Sequence, residues 1–253
     1  MDKARLEVWL NASECINVQM PNEIFEDFDK ADFKSFNHKC FAYSYYYLIS
    51  HLYRNTLYGG NTEQYSQQNI IKLFTSNKTV ISYITKNDGL LDELGYTKTT
   101  TDYPVACYMD NGILEFGLIK ELRKKMPQLE LNHSPRFSIK EPLKCMSRFD
   151  GEDYTGTFYS LQNTHRIGIE RFIKIISDDK LGHVGLFIYG YISMMCDKFS
   201  NAYQISNVEL GEIVGCSDRT IQSYILRLEE IGLLKSTRRI FDNKLLYKVY
   251  SVI

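Results

Sequence analysis

The sequence predicts a mainly α-helical protein with small β-hairpins, of the α+β class. Apolar residues recur at spacings of three and four along several segments, as they do on one face of a helix. Near the C-terminus, two β-branched and aromatic runs, 233–240 and 245–253, are separated by a short hairpin-type connection. With 253 residues, 44% of them hydrophobic, the chain is long enough to bury one large core or two ordinary ones.

Composition and charge exclude several classes of protein. A formal net charge of -1 argues against a uniformly basic nucleic-acid coat, so any nucleic-acid surface must be local. No apolar stretch follows Met1, which predicts no secretory signal, and the apolar run 184–196 is shorter than the ~20 residues of a spanning helix. We therefore expect a cytoplasmic protein with no membrane contact. The six cysteines are scattered without a CxxC pair, which predicts reduced thiols in the core.

The last 70 or so residues carry the clearest pattern of local signals. A helix is predicted over 180–199, and Ser206 with Glu209 has the spacing of a capping box. The short helix that follows carries Val208, Leu210, Ile213 and Val214. Ser217 is placed to cap a further helix, which ends at Gly232 and has an inner face formed by Ile221, Ile225, Leu228 and Ile231.

This order of helix, short helix, tight turn, second helix and hairpin resembles bacterial winged helix-turn-helix DNA-binding domains. The resemblance covers about residues 180–253, and the stretch 210–234 carries most of it. It implies that the second helix of the turn enters the major groove of DNA, with the hairpin as a wing beside it.

A second, weaker copy of the pattern lies in the first half of the chain. Residues 79–84 match residues 220–225 in four of six places, and similar flanks precede and follow both. The aromatic helix 36–53 would be its first helix, and 96–101 with 105–109 its hairpin. The sequence thus predicts two winged-helix domains in tandem, 36–111 and 165–253. A lead-in, 1–35, precedes them, and a helix at 114–126 with a loop-rich basic linker fills 112–164.

Side chains that point away from the inner face of the second helix are the predicted DNA contacts. Arg219, Gln222 and Ser223 are turned outward and are expected to read base edges, Arg at guanine and Gln at adenine. Phosphate contacts are expected from residues at the edges of that face and on the hairpin, namely Thr220, Arg227, Arg238, Arg239 and Lys244.

The first copy supplies a smaller set of predicted DNA contacts: Lys78, Ser82, Lys86 and Lys98. Ile81 also faces outward in this alignment, where it meets a thymine methyl group or is buried in a subunit interface. We favour the interface and hence a homodimer. The neighbouring Tyr43, Tyr45, Tyr46 and Tyr47 permit base stacking, but their helical spacing favours an aromatic core.

The sequence offers little support for an enzyme. The five histidines have no paired metal spacing, and the glycines form neither a phosphate-binding loop nor a dinucleotide fingerprint. We expect no metal and no cofactor. A nucleophilic tyrosine needs little local signature, so DNA nicking stays open as an alternative.

These observations predict a sequence-specific protein that binds double-stranded DNA. Two such domains without a sensor or enzymatic domain resemble, in architecture, the replication initiators of plasmids and phages, which bind origin repeats. Host replication or transcription proteins are then further partners. A transcriptional regulator at a promoter operator would use the same surface. A protein-interaction module is the third alternative, because residues 206–253 hold seven Lys or Arg against six acids.

Overall fold

The computed structural model describes residues 3–10, 18–60, 64–74, 78–110, 113–126, 136–144, 148–149, 154–155, 163–241 and 244–253. Its helices are α1 (Lys3–Trp9), α2 (Ile24–Lys30), α3 (Phe36–Arg54), α4 (Gln67–Lys72), α5 (Lys78–Thr85), α6 (Leu90–Glu93), α7 (Ile119–Lys125), α8 (Ile169–Ile176), α9 (Gly182–Lys198), α10 (Asn207–Val214) and α11 (Asp218–Glu230). Its strands are β1 (Val18–Pro21), β2 (Thr97–Thr100), β3 (Pro104–Asp110), β4 (Ile113–Leu118), β5 (Ile139–Pro142), β6 (Arg148–Phe149), β7 (Tyr154–Thr155), β8 (Thr164–Ile167), β9 (Tyr203–Ile205), β10 (Leu234–Phe241) and β11 (Lys244–Val252). Small antiparallel sheets among helices confirm the α+β class.

The chain divides into two compact units. Residues 1–44 and 160–253 form the first unit, and residues 45–159 form the second. The domain boundaries predicted from the internal repeat, at 35/36, 111/112 and 164/165, do not coincide with the limits of these units. They describe winged-helix domains and not compact units, and they remain predictions. Residues 36–44 of α3 thus belong to the first unit and residues 45–54 to the second.

The first unit has an aromatic core around α9. Phe25 of α2 packs its ring edge-on against Phe187 and Tyr191 of α9, with ring centroids 5.3 and 5.2 Å apart. The hydroxyl of Tyr43 and Nε2 of His165 lie 2.7 Å apart, and the two rings are stacked. Residues 18–21 of the predicted lead-in belong to this unit as strand β1, which pairs with β8 in antiparallel register from Val18–Ile167 to Pro21–Thr164.

The C-terminal part of the first unit is a helix pair followed by a hairpin. β10 and β11 pair antiparallel, with β9 added along the far edge of β11, so the strand order is β10-β11-β9. Both helices and the hairpin lie where the sequence predicts them. On α10, Val208 and Ile213 are 55% and 44% exposed. Leu210, Gly211 and Val214 form the buried stripe, and the other two lie on its flanks.

In the second unit, β2 pairs with β5, and β3 pairs with β4. The predicted pairing of 96–101 with 105–109 is therefore wrong. A helix over 114–126 is also wrong for its first part, because β4 occupies Ile113–Leu118 before α7 begins. Asn111–Gly112 between β3 and β4 is a strong hairpin signal in the sequence, and it explains why β3 pairs with the strand that follows it.

Aromatic side chains of α3 are buried in both units. Tyr43 belongs to the first unit and Tyr45, Tyr46 and Tyr47 to the second, and each is at most 1% exposed. Their predicted role as core residues is confirmed. Ile81 of α5 is 4% exposed, so the expectation that it faces outward is wrong. It shares the buried face of α5 with Ile84.

Candidate nucleic-acid interface

Capping interactions define the start of α10, the end of α10 and the start of α11. The Ser206 side chain accepts from the Glu209 N–H, and the Glu209 carboxylate accepts from the Ser206 N–H, which is the predicted capping box. At the other end, Gly215 has a φ of 90°, a left-handed conformation that favours glycine. The Ser217 hydroxyl then accepts from the Thr220 N–H and begins α11. The turn therefore sets the start of α11 relative to α10.

One face of α11 is buried, and the opposite face is open to solvent. Ile221, Ile225 and Leu228 are fully buried, as predicted, whereas Ile231, the fourth residue of the predicted inner face, is half-buried. Arg219 is exposed, and its side chain makes no hydrogen bond or ion pair to any residue that the structure describes. Ser223 is also exposed, although its hydroxyl donates to the Thr220 carbonyl at 2.8 Å. Arg219 and Ser223 are thus accessible to a ligand along this face.

Gln222 is half-buried, and other residues already bind its side-chain oxygen. Oε1 accepts from Asn207 Nδ2 at 2.5 Å and from Lys248 Nζ at 2.8 Å. Bidentate reading of adenine needs both the oxygen and the nitrogen of a glutamine amide. In this arrangement the oxygen is occupied, so Gln222 is not placed for the predicted adenine contact.

Arg227 lies at the edge of α11 and is held in ion pairs. Its Nε and Nη2 donate to Asp178 Oδ2 at 2.9 and 2.7 Å, and its Nη1 donates to Glu230 Oε2 at 2.8 Å. Burial raises the pKa of Asp178, but hydrogen bonds from Arg227 and from backbone N–H groups outweigh it and lower the pKa overall. Arg227 thus ties α11 to the turn before α9, which leaves few of its donors for a phosphate.

Two adjacent arginines stand exposed on the hairpin. Arg238 lies opposite Lys248 and Arg239 opposite Tyr247 in the β10–β11 register, with a bulge after Arg239. Neither arginine side chain has a hydrogen-bond or ion-pair partner within the described part of the chain. Lys244 begins β11, but its side chain lies outside the described residues. Bulges at strand edges re-aim the local side chains and increase the twist.

The four predicted contacts of the first copy belong to the second unit. Lys78 begins α5, and its side chain is outside the described residues. Ser82 and Lys86 are exposed, and the Lys86 carbonyl accepts from the buried Lys140 Nζ at 2.7 Å. Lys98 is exposed on β2, opposite Glu141 in the register with β5. With β2 paired to β5, Lys98 does not lie on the hairpin that the repeat predicts.

Asn207 and Lys248 are site residues that the sequence reasoning missed. Lys248 is 4% exposed, and burial lowers its pKa. Tyr250 Oη donates to Asn207 Oδ1 at 2.8 Å, which joins α10, α11 and β11 in one polar cluster. The alternation along β11 was the available signal, because Lys248 and Tyr250 share the face of the strand that is buried.

Searches for other kinds of site within the described residues are negative. No group of three or more His, Cys, Asp or Glu side chains there is placed to hold a metal ion. Among the helices described, none has the length and apolar character needed to cross a membrane. Comparison with family models, with curated proteins and with solved structures finds no match to this chain.

Proposed function

We propose that residues 182–252 form a winged helix-turn-helix domain that binds double-stranded DNA sequence-specifically. The observation that carries the proposal is the element order α9, β9, α10, α11 and a β10–β11 hairpin. In such domains the second helix of the turn lies in the major groove and the wing lies along the backbone. Arg219 and Ser223 on α11, with Arg238 and Arg239 on the hairpin, supply exposed polar groups for these two roles.

The side chains on α11 and those on the β10–β11 hairpin suit different contacts with DNA. Arg219, near the start of α11, suits the bidentate contact that arginine makes to guanine O6 and N7. Arg238 and Arg239 suit phosphates, since paired cations on a strand edge give affinity without reading sequence. Two or three phosphate contacts per chain predict a slope of log K against log salt of about -2 to -3, and a homodimer doubles it.

Replication initiation at repeated origin sites is the role that we propose for this DNA binding. The basis is the resemblance in architecture that the sequence carries: two predicted domains of this kind, of which the first departs from the pattern in its strand pairing, and no predicted enzymatic domain. In this proposal two chains pair on the DNA and host replication proteins are recruited to the complex, while the burial of Ile81 removes the observation that favoured the first copy as the pairing surface. Transcriptional regulation would use the same DNA surface at an operator.

Selection of bound fragments from random DNA and from the DNA around the gene tests the proposal. We expect one enriched motif, and direct repeats of it favour an initiator whereas a single palindrome at a promoter favours a regulator. Arg219→Ala should weaken binding to that motif by about 5- to 160-fold, corresponding to about 1 to 3 kcal/mol per base contact. Arg166→Ala, at an exposed arginine on β8, is the matched control. No enrichment at physiological salt would overturn the proposal.

A protein-docking role is the second candidate, and a cleft beside α10 favours it. The cleft has a mixed lining, with Phe25, Phe187 and Tyr191 beside Glu26 and Lys198, and Ile213 at its edge is 44% exposed. A cleft that offers both aromatic and charged side chains, with an exposed apolar residue at its edge, suits a protein segment as its occupant. Ile213→Ser separates the two roles, because it should abolish capture of a protein partner while DNA affinity stays within twofold of the unmodified protein.

A further inference from the structure

The ammonium group of Lys248 determines which way the Gln222 amide points. An ammonium has three donors and no acceptor, so the amide atom that faces it must be the oxygen. Lys248 Nζ lies 2.8 Å from Gln222 Oε1. If the Gln222 nitrogen faced Lys248 instead, two hydrogen-bond donors would oppose each other.

The same reasoning fixes the rest of the cluster. Asn207 must present its nitrogen to Gln222 Oε1, at 2.5 Å, because that oxygen is an acceptor. Its own oxygen then faces Tyr250 Oη, which donates at 2.8 Å. Lys248 therefore sets the direction of every hydrogen bond from Tyr250 through Asn207 to Gln222.

The remaining end of the Gln222 amide is a donor that is open to solvent. Gln222 Nε2 has no partner among the described residues, and it is absent from the buried polar atoms that lack one. Both partners of Oε1 come from α10 and β11, the two elements that flank α11. Gln222 therefore presents two N–H donors and no acceptor.

We propose that Lys248 and Asn207 are specificity-determining residues, which make Gln222 recognise a hydrogen-bond acceptor edge, best met by guanine, instead of adenine. The inference rests on the proposed DNA binding by α11. In the major groove guanine offers two acceptors, O6 and N7, whereas adenine offers N7 beside an N6 donor. Cytosine presents a donor and is rejected.

Burial of Lys248 is otherwise unexplained by ion pairing. Its one hydrogen-bond partner within the described residues is the neutral Gln222 amide. The nearby Glu229 carboxylate is engaged elsewhere, accepting from the Ser236 N–H at 2.8 Å and from the Ser236 hydroxyl at 2.6 Å. The buried Lys248 ammonium is thus hydrogen-bonded to a neutral amide, with its charged form favoured through space by the Glu229 carboxylate, so its position is specified by Gln222 and not by an ion pair among the described residues.

Base preference in Lys248→Met tests the inference. Methionine keeps the length and packing of the lysine stem and removes the donors, so the amides of Gln222 and Asn207 are free to reverse. We expect the unmodified protein to prefer guanine to adenine about tenfold at one base pair of the selected motif, and Lys248→Met to lose or reverse this preference. Gln222→Ala should lose preference at the same base pair only. Lys235→Met, at an exposed lysine of the same hairpin, should keep it.

A measurement on the free protein separates this inference from the proposed function. The side-chain amide resonances of Gln222 and Asn207 should shift in Lys248→Met and stay in place in Lys235→Met. If the resonances shift but no DNA is selected, the proposed function fails and the base preference fails with it. If DNA is selected and Lys248→Met retains the guanine preference, or Gln222→Ala changes no base preference, the inference is overturned while DNA binding stands.

Discussion

Replacement of Gly211 by alanine should move α11 relative to α10. Gly211 lies inside α10, where alanine is favoured over glycine by about 1 kcal/mol. The added Cβ, however, would lie 2.5 Å from the carbonyl oxygen of Cys216 and 3.4 Å from the Asp218 nitrogen. Both are backbone atoms of the turn, so relief requires the turn to shift by about 0.9 Å or more to reach an ordinary contact. Overpacking of this kind costs about 1 to 3 kcal/mol, and the backbone location places it at the upper end.

The expected net effect of Gly211→Ala is a loss of about 1 to 2 kcal/mol in the free energy of unfolding, because overpacking exceeds the gain in helix propensity. Equilibrium unfolding in denaturant, followed by far-UV circular dichroism, measures it. The matched control is Glu212→Ala, at the exposed neighbouring position of α10, which should stay within about 0.5 kcal/mol. A Gly211→Ala protein as stable as the unmodified chain would refute the packing argument.

Three further predictions concern the same unit. Ser206→Ala removes the cap of α10 and should lower the free energy of unfolding by about 1 kcal/mol in the same assay, and an unchanged midpoint would contradict it. Burial lowers the pKa of His165 to about 3, so the unfolded state binds a proton below pH 6.5 and the folded state does not. Stability should fall as pH drops from 6.5, by up to about 1.4 kcal/mol per unit, and His165→Gln should remove this part of the slope. Gly190→Ala places a Cβ onto the Tyr43 hydroxyl, so it should be destabilising, and Tyr43→Phe should lower that penalty in a double-mutant cycle.

Local signals account for what the sequence predicted correctly in the C-terminal segment. The capping box of Ser206 and the cap of Ser217 each join residues three apart. The hairpin joins neighbours, since its two strands are separated by residues 242–243 alone. Interactions of such short range depend on residues that lie close together in the chain, so a single sequence is sufficient to predict them.

Partners distant in the chain account for the site residues that were misplaced. Gln222 and Arg227 do point away from the buried face of α11, as helical periodicity predicts. Helical periodicity predicts which side of one helix is buried, but it does not predict which residues of other elements contact the exposed side. The partner of Gln222 on β11 is 26 residues away, and the partner of Arg227 before α9 is 49 residues away. The first hairpin failed similarly, because Thr97 pairs with Pro142.

Charge counting also misjudges the candidate interface, because it ignores where each charge is used. Of the six acids in residues 206–253, Glu209 caps α10 and Glu229 binds Ser236, while Glu230 neutralises part of the Arg227 cluster. The carboxylate of Glu209 also lies in the first turn of α10, where the partial positive charge of the helix N-terminus offsets it.

The exposed cations are used differently from the acids. Arg219, Arg238 and Arg239 are exposed and have no side-chain partner in the described part of the chain. A phosphate that approaches α11 and the hairpin therefore meets available donors, although the segment as a whole sums to only +1. Salt screens the interaction between exposed charges beyond a Debye length of about 8 Å. The charges that contact the ligand directly therefore affect its binding more than the net charge of the segment does. The near-neutral total is thus weak evidence for the docking alternative, and the accessible donors favour DNA.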